Sequence, residues 1–177
     1  MDRRKKYHRK TGILQTIMRV KTTERKTMKS RCENFKEEIK LWFLMIWTIP
    51  QSLLGLVVMI ITGAKLCTKR VNNVSYDYFV AKRFNNSWGG VSLGEFIIFA
   101  NESHIDEISV KHEYGHHIQS NYLGWFYLLV VGLPSIIGNL WDRIAHKNWS
   151  HWKREQWYYK QPWEHWADLL GGVDRKL

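Results

Sequence analysis

The chain has 177 residues, 45% of them hydrophobic, and a formal net charge of +11. That length supports one compact domain with a real core. The apolar residues, however, crowd into two uncharged blocks, 41–62 and 122–140. Each is near the length that crosses a bilayer, which excludes an ordinary soluble domain.

Residues 1–40 hold 14 Lys/Arg against 5 Asp/Glu, so nearly all of the net charge lies in one basic arm beside the first apolar block. Such an arm attracts anionic lipid headgroups, at about 1 kcal/mol per basic residue near the surface. No nucleic-acid motif accompanies it, so no nucleic-acid partner is expected. The arm is expected to begin disordered and to turn helical near ENFKEEIKLW. Its charged region is too long for a signal peptide, and no small-residue cleavage site follows residue 62. Cys32 and Cys67 lack metal-ligand spacing and read as reduced and unpaired.

Block 41–62 is a membrane segment with a helix-breaking stretch, Thr48-Ile49-Pro50-Gln51-Ser52. It reads as a kinked crossing or a hairpin at Pro50. Basic residues flank it on both sides: Lys36 and Lys40 before, Lys65, Lys69 and Arg70 after. The positive-inside rule then favours both ends, and the following domain of residues 63–177, on the cytoplasmic side. Next, YDYFVAKRF and VSLGEFIIFA read as two strands joined by a hairpin loop at NNSWGG. Ser103 with Asp106 resembles a capping box and predicts a helix over 104–121. Block 122–140 follows, with a helix-breaking hinge, Val131-Gly132-Leu133-Pro134-Ser135, at its centre. Each half is about ten residues, or about 15 Å of helix, half a bilayer. The tail is rich in Trp and Tyr, which suit a membrane interface or an aromatic core.

The helix over 104–121 carries His112-Glu113-Tyr114-Gly115-His116. Two histidines at i and i+4 share a helical face and can chelate one Zn²⁺, with Glu113 beside it to accept a proton. Gly115 permits close approach of another backbone. The third ligand must come from elsewhere. A metzincin pattern is excluded, because Gln119 and Tyr122 stand where it needs glycine and histidine. His117 points round the helix, and His146, His151 and His165 have no motif behind them. Trp163-Glu164-His165-Trp166-Ala167-Asp168 offers more: Glu164 and Asp168 share a helical face. One carboxylate can bind metal while the other accepts the free N–H of a ligating histidine. Ligands on both sides of 122–140 must meet, so that block is expected to be re-entrant, interfacial or a buried helix pair.

HExxH followed by E-x-x-A-D resembles the gluzincin zinc metallopeptidases, and most nearly their membrane-bound HtpX and CAAX-prenyl endopeptidase group. The approach to the helix is similar too, with SWGGVSLGEFIIF as a glycine-containing hairpin and IDEISVKHEYGH as an acidic helix start. The resemblance covers roughly residues 75–170. It implies an α+β fold: a small zincin-like domain of short sheet, HExxH helix and glutamate helix, with two apolar membrane-associated helical segments. It implies zinc on His112, His116 and Glu164, Glu113 as general base, and Asp168 holding a ligand's N–H. The activity implied is a membrane-associated metalloendopeptidase acting on a peptide or protein, with the strand in VSLGEFIIFA pairing with an extended substrate. The chain departs from that group in having little room for its longer membrane hairpins. No residue matches its oxyanion-stabilising position, for which Tyr158, Tyr159, Arg143 and His165 have suitable chemistry. The alternatives are a zinc-binding membrane protein without catalysis, a basic membrane-surface or nucleic-acid adaptor, and a zinc hydrolase of a non-peptide bond.

Overall fold

The computed structural model describes residues 33–71, 74–83 and 89–175. Its contacts define two compact units, divided between Phe43 and Leu44. In the first, the described residues begin helix α1 (Glu33–Trp47), where ENFKEEIKLW predicts helix. Phe35, Ile39, Leu41 and Trp42 are exposed on it. The rest of the basic arm, with Cys32, lies outside the described residues.

The second unit is α+β, with a four-stranded sheet and most of the six helices found among the described residues. Its apolar start is interrupted at Thr48, and α2 (Ile49–Thr62) begins there with Pro50 in its first turn. Proline suits that position because the first-turn N–H groups lack intrahelical partners anyway. In a continuous helix the residue 50 N–H would bond the Ile46 carbonyl. Proline has none, and the Trp125 indole donates to that carbonyl instead, at 3.1 Å. Gln51, fully buried, donates to Ser120 Oγ and to the Gly124 carbonyl at 3.0 and 2.9 Å. Leu53, Val57, Ile60 and Ile61 face outward.

Strands β1 (Lys65–Val71), β2 (Val74–Val80), β3 (Gly90–Leu93) and β4 (Phe96–Phe99) lie in the order β1-β2-β4-β3. β1 and β2 form an antiparallel hairpin, from Lys65↔Val80 to Val71↔Val74. β1 escapes sequence reading because KLCTKRV mixes three cations into its alternation. The hairpin expected across NNSWGG is not formed. β2 pairs parallel with β4, Phe79 opposite Ile98, and β3 lies on the far side of β4, while residues 85–88 of NNSWGG lie outside the described residues. VSLGEFIIFA, read as one strand, is itself the hairpin, with Leu93 opposite Phe96. Its two-residue turn needs positive φ, and Gly94 supplies it at 62°. Tyr78, Val80, Ile97 and Phe99 build the core with Val110 of the next helix.

That helix, α3 (Glu107–Leu123), starts later than predicted. Its cap is Asp106, which accepts from Ser109 N at 2.6 Å, while Ser103 N bonds Asn101 in the preceding turn. α3 ends at Gly124, where φ is 54° and the Trp47 ring fills the space of a side chain. The expected break at Val131–Ser135 is also absent. A π turn, Leu128–Gly132, runs straight into α4 (Leu133–Ala145), with Leu133 N bonded to Leu128 O. Pro134 follows directly, and the chain stays helical through it. Leu128–Ala145 is long and apolar enough to cross a membrane. Its outer face, with Ile136, Ile137, Leu140, Trp141 and Ile144, is exposed. Its buried residues are Val131, Gly138 and Asp142. Asp142 holds Arg154 of α5 (His151–Tyr159) through two bonds, at 2.6 and 2.9 Å. The chain closes with α6 (Pro162–Gly171). Of the tail's tryptophans, Trp141 and Trp152 are exposed, while Trp157, Trp163 and Trp166 are half-buried.

Candidate metal centre

The site is built where α3 and α6 touch. Gly115 permits that contact: a Cβ there would collide with the Ala167 carbonyl, and one on Gly171 with the Lys111 carbonyl. Close packing brings both HExxH histidines against the glutamate helix. His112 Nε2 lies 3.1 Å, and His116 Nε2 3.2 Å, from the same oxygen, Glu164 Oε2. All three groups are buried, Glu164 to 1% exposure.

The other ring nitrogens decide what these atoms can bind. His112 Nδ1 lies 2.7 Å from Asp168 Oδ1, which can only accept, so Nδ1 carries a proton. His116 Nδ1 lies 2.7 Å from Gln119 Oε1, and the Gln119 amide is oriented by donating to the Trp163 carbonyl at 2.8 Å. In its neutral form each imidazole would therefore turn a lone pair on Nε2 toward a carboxylate oxygen. Three lone-pair atoms converge, and only a proton or a metal ion resolves that. The donor atoms lie within 4.8 Å of one another, and the residues fit a metal ion.

The electrostatics describe the same competition. Burial opposes charging His112, but its bonds to Asp168 and Glu164 outweigh that and push its pKa up to about 9. Burial likewise opposes ionising Glu164, yet the His116 and His112 imidazoles hold its carboxyl well below the usual range. Asp168 is lowered against its own burial by His112 and by Arg175, whose Nε donates to Asp168 Oδ2 at 2.8 Å. Arg175 also stacks over the Tyr159 ring, 3.5 Å from its centroid.

Glu113 sits beside the three. Burial raises its pKa, with the neighbouring imidazoles opposing. Its Oε2 is buried and unpartnered. Gly90 on β3 makes room for it, since a Cβ there would lie 2.5 Å from Glu113 Oε1. All four side chains line one cavity of about 360 Å³ with β3, Tyr127, Leu133, Tyr158 and Tyr159. Of VSLGEFIIFA, only the β3 half lies at a sheet edge. There the Tyr127 hydroxyl already donates to the Ser92 carbonyl at 2.8 Å.

The remaining candidates fall outside. His165, His151 and Arg143 are exposed and do not line the cavity. His146 is bonded to Asp142 at 3.1 Å. His117 bonds the Gly94 carbonyl at 2.7 Å, tying α3 to the β3–β4 turn. Sequence reading missed Ser135, which donates to Glu164 Oε1 at 2.6 Å, because it lies in an apolar block read as a hinge. It also missed the role of Gln119, although a position three residues after His116 was itself a signal.

Comparison with known proteins finds no matching family model, no similar curated protein and no similar solved structure.

Proposed function

We propose that the protein is a membrane-associated, zinc-dependent endopeptidase. One observation carries this reading: His112, His116 and Glu164 converge beside the unpartnered oxygen of Glu113, on a cavity bounded by an edge strand. Two imidazoles and one carboxylate are the donor set of catalytic zinc sites that keep a position open. Bound there, zinc supplies a Lewis acid and lowers the pKa of its water.

The chain's own groups do the rest. Asp168 and Gln119 hold the two imidazoles in the tautomer that offers Nε2. Glu113 Oε2 takes the proton of the attacking water and returns it to the leaving amine, a role helped by a carboxyl that burial makes more basic. The β3 edge aligns an extended peptide across the cavity. Tyr159, on the cavity wall, brings its hydroxyl to the developing negative charge. The exposed apolar faces of α2 and α4 seat in lipid, and the basic arm favours the cytoplasmic leaflet.

The test is Glu113→Gln. Zinc stays bound, and cleavage of an unstructured peptide library, read by mass spectrometry, disappears. Cleavage by the pure variant would sink the mechanism. Zinc-loaded wild type that cuts nothing in the library would make this a non-catalytic zinc protein.

A further inference from the structure

We propose that Ser135 is a positioning residue that restricts Glu164 to one metal-facing oxygen, and that Tyr158 fixes Ser135 in turn. This rests on the metal reading above. Ser135 Oγ lies 2.6 Å from Glu164 Oε1 and 2.8 Å from the Tyr158 hydroxyl. An ionised carboxylate only accepts, so the serine proton goes to Glu164. The serine then has only lone pairs left for Tyr158, whose O–H must donate to it. The result is a one-way chain, from Tyr158 through Ser135 to Glu164, in which each bond polarises the next.

The chain divides the labour of the carboxylate. Oε1 is occupied by the hydroxyl, and Oε2 is the oxygen shared by both Nε2 atoms. Glu164 is 1% exposed, so no bulk water competes for Oε1. A carboxylate without that restraint can turn and offer both oxygens to one ion. It would then fill the coordination position that a hydrolytic water needs. Partners behind a ligating carboxylate tune a metal site in this way, by orienting the ligand rather than touching the ion. Ser135 lies in the first turn of α4, so the restraint comes from the helix whose opposite face is apolar and exposed.

The test uses cobalt(II) as a spectroscopic stand-in, added to saturation to the purified full-length protein. Its visible bands weaken as ligands are added beyond four. Wild type gives the strong bands of a four-coordinate site. Ser135→Ala loses intensity toward the higher-coordinate form, and Ser135→Thr, which keeps the hydroxyl, restores the wild-type spectrum. Tyr158→Phe shifts the bands the same way but less, because the serine–glutamate bond survives. A wild-type spectrum in Ser135→Ala, or no restoration by threonine, overturns this proposal and leaves the metal reading intact. No cobalt uptake by wild type overturns both.

Discussion

Gly115→Ala is a single methyl group aimed at the contact that creates the site. Its Cβ would lie 2.7 Å from the Ala167 carbonyl carbon and 3.0 Å from Ala167 Cα, and nearer still to the carbonyl oxygen. Ordinary contact starts at about 3.4 Å, so α3 and α6 must separate by about 1 Å. Overpacking of that kind costs about 1–3 kcal/mol. The loss at the metal site is larger in proportion. The His112–Asp168 bond is 2.7 Å, and an added ~1 Å takes it out of hydrogen-bond range. Losing such a partner weakens metal affinity roughly 10- to 100-fold. Gly138→Ala is the control, because its Cβ would meet Trp163 at 3.6 Å, an ordinary contact, and alanine favours helix by about 0.5–1 kcal/mol. Thermal unfolding and zinc competition against a chelator, run on both variants, give the answer. Wild-type zinc affinity in Gly115→Ala would refute the claim that helix proximity sets the site.

Three further outcomes follow from the structure. In the metal-free protein, the His112 pKa is raised from 6.5 to about 9. A raised pKa gives stability that is full below pH 6.5 and lost as pH climbs through 9, on the order of 3 kcal/mol for this buried group. Chelator-treated protein should therefore melt progressively lower from pH 6.5 to 9, and Asp168→Asn should flatten that slope. Zinc displaces the same proton, so its apparent affinity should rise about tenfold per pH unit over that range. Gln51→Leu strands the Gly124 carbonyl and Ser120 hydroxyl in the buried α2–α3 contact, and should destabilise by roughly 1–3 kcal/mol in denaturant titration.

Helical spacing made the pairs His112/His116 and Glu164/Asp168 legible, and it was the HExxH…ExxAD resemblance that implied both the α+β class and the meeting of the two pairs. HEYGH and WEHWAD place their side chains by helical spacing alone, and Gly115 announced a close approach. What escaped depends on long-range pairing. The parallel β2–β4 ladder and the β1 edge strand carry no local sign, and a glycine-rich loop such as NNSWGG serves a crossover as readily as a hairpin. Gly132 and Pro134 looked like a break, but the chain stays helical through both. Ser135 was hidden for a related reason, since a hydroxyl in an apolar run shows its purpose only when its partner, 29 residues away, is seen.

The most direct measurement is the zinc content of the detergent-purified full chain, wild type beside Glu164→Ala. Wild type is expected to hold about one zinc per chain and the variant to lose it. A folded wild type without zinc, or a variant that keeps full occupancy, would contradict it.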